Sequence, residues 1–254
     1  MTRLSIIILT KNEQDNITEC LKSASWADEI IVYDSGSTDN TQKIAKQTGA
    51  IVIEDLDWQG YGKHRIKAQQ HANCDWIMML DADERITDEL KLEIQEKLKL
   101  NNTKVIYAVP RLSYCFGQFI RHSGWYPDFV YRLYPRNKTS YNDAMVHEKL
   151  QIPGTMHVEK CHSDLLHYTY KDINHYLVKS ANYAAIWSRD KYGKGKTTNL
   201  TTAILHGIGC FIKMYIIRIG FLDGKQGLLL ALLSAHSTFV KYADLWSRQY
   251  KNKS

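Results

Sequence analysis

Four short apolar runs, each followed by a helical or acidic segment, dominate the first hundred residues and restrict the fold more than any other feature. Leu4-Ser-Ile-Ile-Ile-Leu9 is β-branched, long enough for a buried strand and too short for a helix. Ile17, Cys20, Leu21 and Ala24 then recur at helical spacing behind Asn16, which reads as an N-cap. Glu29–Tyr33 predicts a second strand, and a helix follows that starts at Thr38 or Asp39 and stops at Gly49. Ala50–Glu54 predicts a third strand, with a polar helix over roughly Lys63–Asn73. Trp76–Leu80 predicts a fourth strand, and Asp88 opens an amphipathic helix carrying Leu90, Ile94 and Leu98 on one face. Such alternation implies βαβ units: an α/β fold with a mostly parallel sheet and helices on both faces. Ligands bind such sheets beyond the carboxyl ends of the strands. The acidic residues fall there, Asp34 after the second strand and Asp81 and Asp83 after the fourth.

From about residue 105 the pattern changes. Val105–Val109 and Phe129–Tyr134 read as strands, separated by an aromatic and basic stretch with Tyr114, Phe116, Phe119, Arg121, His122, Trp125 and Tyr126. Those aromatic faces and basic groups suit a sugar ring and phosphates of an anionic acceptor. Equally, a hairpin buries such aromatics in its core. Ile173, Tyr176, Leu177, Ala181, Ala184 and Trp187 mark a long helix that leads to Lys191-Tyr-Gly-Lys-Gly-Lys196, the best linker. This divides the chain into a catalytic domain over 1–190 and a helical region over 191–254. In the latter, Ala203–Ile219 is apolar but interrupted by His206, Lys213 and Arg218, and Leu228–Leu233 is closed off by His236 and Lys241. Neither reaches the roughly 20 uninterrupted apolar residues of a spanning helix. Two helices lying on the cytoplasmic face of an inner membrane fit this pattern, and so do helices packed on the catalytic domain.

Composition excludes several classes. The 254 residues are 44% hydrophobic and 24% charged, which is neither disordered nor fibrous. A net charge of +6 suits an anionic small molecule or lipid surface and is too small to argue for nucleic acid. Five cysteines without CxxC pairing point away from disulfides or zinc and toward a reducing compartment. Lys11, Asn12, Glu13 and Asp15 follow the first apolar run at once, which reads against a signal peptide.

Asp81-Ala-Asp83 is the sharpest chemical signal. Two carboxylates one residue apart in a turn at a strand end can face one cleft, and hard oxygen ligands suit Mg²⁺ or Mn²⁺. The same tripeptide also occurs as an ordinary acidic turn. Asp34, followed by Ser-Gly-Ser-Thr-Asp39, reads as a capping loop, as a carboxylate binding a base or ribose, or as both.

Thr10-Lys-Asn-Glu13, Val32-Tyr-Asp-Ser-Gly-Ser-Thr-Asp39 and Asp75-Trp-Ile-Met-Met-Leu-Asp-Ala-Asp-Glu84, in that order, resemble the N-terminal half of a family 2 glycosyltransferase with the GT-A fold. Gly124-Trp-Tyr-Pro-Asp128, Arg132-Leu-Tyr134, His147-Glu148 and Gly220-Phe-Leu-Asp-Gly224 extend the resemblance to the bacterial branch containing inner-core lipopolysaccharide or lipooligosaccharide β-1,4-glucosyltransferases. The resemblance implies a UDP-sugar donor, with Thr10 and Glu13 near the uridine and Asp34 on uracil or ribose. It implies Asp81 at the ribose or metal, Asp83 at the metal, Glu148 as catalytic base and His167 as a further metal ligand. His147, His157 and His162 rival His167. Arg132 is a substrate-binding candidate, paired with the diphosphate or with Asp128, and Trp125 is a candidate for the acceptor.

The implied reaction is a single inverting displacement onto an acceptor hydroxyl, a saccharide or glycolipid, in the cytoplasm or at the inner membrane. Rival readings are transfer to a lipid carrier, capsule chain or protein, a nucleotidyltransferase, and a non-enzymatic sugar-nucleotide-binding protein. A nucleotidyltransferase would call for a glycine-rich basic signature after the first strand, where Thr10-Lys-Asn-Glu13 has no glycine. Binding alone would need no base at Glu148.

Overall fold

A computed structural model describes residues 2–145, 148–170 and 172–250 of the chain. Two compact units emerge: Met1–Arg111 with Asp128–His167, and Leu112–Pro127 with Tyr168–Ser254.

The first unit opens with β1 (Leu4–Thr10), α1 (Ile17–Ala24), β2 (Glu29–Asp34), α2 (Thr41–Gln47), β3 (Ile51–Glu54), α3 (Tyr61–Gln69) and β4 (Trp76–Asp81). In chain order β5 (Glu84–Ile86), α4 (Asp88–Leu100), β6 (Val105–Cys115), β7 (Gln118–Phe119, in the second unit), β8 (Asp128–Pro135), β9 (His157–Lys160) and β10 (Leu165–Tyr170) follow. The sheet runs β3-β2-β1-β4-β8-β6-β10-β5, with β7 and β9 both paired to β6. β3, β2, β1 and β4 are parallel, and β8 enters antiparallel to β4. The α/β, mostly parallel reading therefore holds, with an antiparallel extension beyond β4.

Strand alternation builds the core. Leu4, Ile6 and Ile8 of β1 and Trp76, Met78 and Leu80 of β4 face the layer holding α1 and α4. Ile7, Ile77 and Met79 face the opposite layer with Ala68 of α3. Such two-faced burial is what turns these strands into near-continuous apolar runs. The quartet Ile17, Cys20, Leu21 and Ala24 is buried on α1, and Leu90, Ile94 and Leu98 on α4.

Helix starts differ in detail. Asn16 occupies the N-cap of α1 with an already helical backbone (φ −106°, ψ −35°) and no side-chain cap, and its amide Nδ2 donates to Glu13 Oε2 at 2.8 Å. α2 begins at Thr41, later than Thr38 or Asp39, because Asp39 Oδ1 accepts from the Thr41 backbone N–H at 2.9 Å and holds the preceding residues in a turn.

The second unit carries three long helices, α5 (Ile173–Gly193), α6 (Leu200–Phe211) and α7 (Gly224–Arg248). A π-helical turn at Ile212–Ile217 and a 3₁₀ turn at Gly220–Asp223 join α6 to α7. Gly207 lets α6 approach α7 closely, since an added Cβ would meet Ala235 O and Phe239 Cβ at 3.3 Å. Trp187 of α5 packs on Tyr242 of α7 with ring centres 4.9 Å apart, and Arg248 Nε donates to Ser188 Oγ at 3.0 Å. The boundary expected at 190/191 thus falls inside the second unit, since α5 takes its partners from α7. The expected linker is a hydrogen-bonded turn, with Gly195 N–H donating to Tyr192 O at 2.9 Å and Lys196 N–H to Lys191 O at 3.0 Å.

Candidate active site

Parallel registry gathers the strand-end residues of the first unit. Thr10 lies opposite Asp34, and Leu9 opposite Asp81, at the carboxyl edge of β2-β1-β4. Asp34 is fully buried. Its carboxylate accepts from Thr10 Oγ1 (2.9 Å), Gly36 N (3.1 Å), Ser37 N (2.7 Å), Ser37 Oγ (2.5 Å) and Gln42 Nε2 (2.8 Å). Burial pushes the carboxyl upward, but these donors outweigh it and hold Asp34 below its ordinary value. Its hydrogen-bonding capacity is therefore spent on shaping the loop after β2, the capping reading of the two weighed from sequence. Glu13 belongs to the facing loop, whose backbone N–H donates to Thr41 Oγ1 at 2.8 Å.

Beyond β4 lies a network of guanidinium and carboxylate groups. Asp81 Oδ1 accepts from Arg65 Nη2 at 2.8 Å and Oδ2 from Arg132 Nη2 at 2.5 Å. Arg65 Nε also donates to Glu148 Oε1 at 2.8 Å, which brings Glu148 to Asp81 through one side chain. Arg132 Nη2 reaches Glu84 Oε1 at 2.6 Å, while the Asp81 backbone N–H donates to Glu84 Oε2 at 2.9 Å. Burial raises the Asp81 carboxyl, yet Arg132 and Arg65 overcome it and hold the group well below the usual carboxylate range. Burial alone would favour neutral guanidines, but the facing carboxylates keep Arg65 and Arg132 charged.

Asp83 does not join this network. It sits in the turn between β4 and β5, and antiparallel pairing sets His167 of β10 opposite Glu84. His167 Nε2 consequently lies 3.3 Å from Asp83 Oδ2. Adjacent ligands of an octahedral cation, each about 2.1 Å from the ion, are separated by roughly 3 Å. A carboxylate oxygen and an imidazole nitrogen at this spacing fit a divalent cation that takes its other ligands from water and substrate. No cluster of three or more His, Cys, Asp or Glu suited to a metal occurs among the described residues. Asp81, expected to share the metal with Asp83, instead has both oxygens engaged by arginines. The rival His157 pairs with Glu159 at 3.2 Å, the His162 backbone N–H donates to Glu93, and His147 lies outside the described residues.

Two further expectations change. Asp128 is bound by Arg111 Nη2 at 2.6 Å rather than by Arg132, which is drawn inward to Asp81 and Glu84. Trp125 belongs to the second unit and packs on a cluster of Cys115, Ile120, Tyr176 and Leu230, the core reading of the aromatic stretch.

Arg65, Glu84 and Arg111 received no role from sequence. Glu84 stood in the quoted Asp-Ala-Asp-Glu block, but its burial depends on β6 and β8. Two network donors, Arg65 Nη1 and Arg132 Nε, are buried without a hydrogen-bond partner. A buried unsatisfied N–H costs about 1–3 kcal/mol, so a phosphate oxygen would be a favourable partner for either. The whole arrangement can bind an anionic ligand, hold a cation at one side and present a carboxylate at another.

The sequence model of the family described as Glycosyl transferase family 2 matches residues 5–158. An "Uncharacterized glycosyltransferase" of Rickettsia felis is 27% identical over all of this chain and 93% of its own length. The "Lipopolysaccharide core biosynthesis glycosyltransferase LpsC" of Rhizobium meliloti is 26% identical over 96% of this chain and 92% of its own. Glucosyl-3-phosphoglycerate synthase from Mycobacterium tuberculosis, in complex with Mn²⁺, UDP and glucosyl-3-phosphoglycerate, shows 23% identity and a TM-score of 0.37 over 44% of each chain.

Proposed function

The chain belongs to glycosyl transferase family 2, and on that premise we propose that it moves a hexosyl group, most narrowly glucose, from a UDP-sugar to an inner-core hydroxyl of lipopolysaccharide or lipooligosaccharide. The observation that carries this reading is the joining of Glu148 and Asp81 on Arg65 at the carboxyl edge of the sheet, within the unit that also pairs Asp83 with His167. The core-biosynthesis relative from Rhizobium meliloti supports the acceptor class. Cytoplasmic work agrees with five free cysteines.

In this mechanism Thr10 and Asp34 fix the loop against which the uridine rests, with Glu13 on its facing side. Arg65 Nη1 and Arg132 Nε donate to diphosphate oxygens. Asp83 and His167 would hold Mg²⁺ or Mn²⁺, which when bound neutralises charge developing on the diphosphate. Arg65 engages Glu148 Oε1, so Oε2 accepts the proton of the acceptor hydroxyl as its oxygen attacks the anomeric carbon. The carbon–oxygen bond to the diphosphate breaks, the electron pair leaves with UDP, and the anomeric centre inverts.

The test incubates the protein with UDP-glucose, UDP-galactose and UDP-N-acetylglucosamine, with Mg²⁺ or Mn²⁺, in the presence and absence of heptose-containing core acceptor. Acceptor-dependent UDP release and a β-linked product are expected. An α-linked product from an α-linked donor overturns the inverting mechanism. Turnover only with a lipid-carrier, capsular or protein acceptor transfers the reading to that acceptor.

A further inference from the structure

α6 and the π-helical turn after it form an 18-residue helical run, Leu200–Ile217, with mean hydropathy 1.6 and only 17% of it buried. Ala203 and Gly207 form its buried side, where α7 approaches. Beside that seam Ile204, Ile208, Ile212 and Ile216 recur every four residues with exposures of 46, 52, 42 and 55%. Phe221 and Leu222 extend the exposed apolar surface at 49 and 58%. An exposed apolar stripe of this extent on a folded unit marks an interaction surface.

The charges identify the partner. Lys213, Arg218 and Lys225 are all exposed within this segment. Its lone acidic residue, Asp223, is buried and accepts from the backbone N–H groups of Arg121 and His122, and its Oδ1 lies 2.9 Å from the His122 ring. Exposed charge along the stripe is therefore entirely positive. A second copy seated here by symmetry would set like charges against each other, whereas anionic headgroups would complement them. Between α6 and α7 an open apolar groove of about 340 Å³, lined by Ile204, Ile208, Phe211 and Leu232, continues this apolar surface. Lys213, inside the run, favours a helix lying in the interface over one crossing the bilayer.

We propose that this face docks the protein on an anionic lipid bilayer, with the isoleucine stripe at the acyl boundary and the three cations among the headgroups. The proposal rests on the surface of the second unit and stands apart from the identity of donor or acceptor.

The test is co-sedimentation of the full chain with vesicles of phosphatidylglycerol and phosphatidylethanolamine in equal parts, against vesicles of phosphatidylcholine alone. Binding to the anionic vesicles, weakened by salt, is expected. Lys213→Gln and Lys225→Gln each lower that binding about fivefold, since a surface cation contributes on the order of a factor of five in partitioning. Ile208→Glu with Ile216→Glu abolishes it while helicity by circular dichroism and UDP affinity by calorimetry stay at parental values. Absence of binding to anionic vesicles overturns the proposal. So does a native dimer that the double glutamate variant converts to monomer without any vesicle binding, which would make the face a contact between copies. Vesicle binding by a protein without transferase turnover supports docking and counts only against the proposed activity.

Discussion

Glu148 and Asp81, far apart in the chain, share the guanidinium of Arg65, each receiving a hydrogen bond of 2.8 Å. The candidate base and the strand-end carboxylate therefore cannot move independently. Removing one partner of a buried ion pair costs about 3–5 kcal/mol; the partial exposure of Asp81 and Glu148 argues for the low end, near 3 kcal/mol. Arg65→Met is expected to lose that much stability in urea denaturation and to weaken both UDP binding and turnover. Arg65→Lys keeps the charge but not the two-pronged geometry, and loses less stability. An Arg65→Met protein as stable as its parent would show that the shared guanidinium holds nothing together.

Glu148→Gln separates chemistry from binding. The amide oxygen can still accept from Arg65 Nε, so the network survives, while the proton acceptor is gone. Loss of a general base costs a factor of about 10²–10⁴ in rate. Steady-state turnover with core acceptor is expected to fall by that factor, with UDP affinity unchanged in calorimetry. Retention of parental kcat removes Glu148 from the role of base.

Legibility in the sequence followed the range of the interactions involved. β1 and β4 announce themselves because both faces are buried, and α1 because its four buried residues recur at helical spacing. Asp81 and Asp83 were visible as an acidic turn after such a strand. Their division of labour was not, because it is set by Arg65 of α3, Arg132 of β8 and His167 of β10. α3 read only as a polar helix, and nothing local distinguishes an arginine that closes an ion network from one in solvent. Glu84 illustrates the same limit: its burial depends on two arginines supplied by later strands. The two-residue β7, which turns back on the end of β6, and the four-residue β9, which pairs with distant β6, carry too few residues for periodicity. The boundary near 190 failed for a related reason, since the partners of α5 lie in α7.

Asp83 and His167 lead to a metal-dependence experiment. Asp83→Asn preserves a hydrogen-bonding oxygen beside His167 and removes the charge that a divalent cation needs. UDP affinity measured with Mn²⁺ is expected to fall at least about tenfold, equivalent to about 1.4 kcal/mol, down to the value found in chelator. Affinity in chelator should be the same for variant and parent. If Mn²⁺ strengthens UDP binding equally in both, the ion is held elsewhere.

Acid stability should decline in two stages whose signs follow from burial. His64 is buried, its Nε2 2.7 Å from Ser35 Oγ, and burial lowers its pKa below 6.5. The unfolded chain then binds the extra proton, so stability falls as pH drops through 6.5 and levels below the folded value. Asp34 behaves as a carboxyl depressed from 3.8 by its donors, Asp55 is lowered to about 2 against burial by Lys67 and Tyr33, and Asp81 lies lower still. Their contribution is complete above about 3.8 and is lost as pH falls through each folded value. Urea midpoints recorded from pH 8 down to pH 3 are expected to show a shallow step below 6.5 and a steep one below 4. Asp34→Asn should lower stability at neutrality by about 1–3 kcal/mol and flatten the lower step, because the amide neither titrates nor satisfies the same donors. An unchanged lower step in that variant would mean the loop after β2 owes nothing to the ionised form of Asp34.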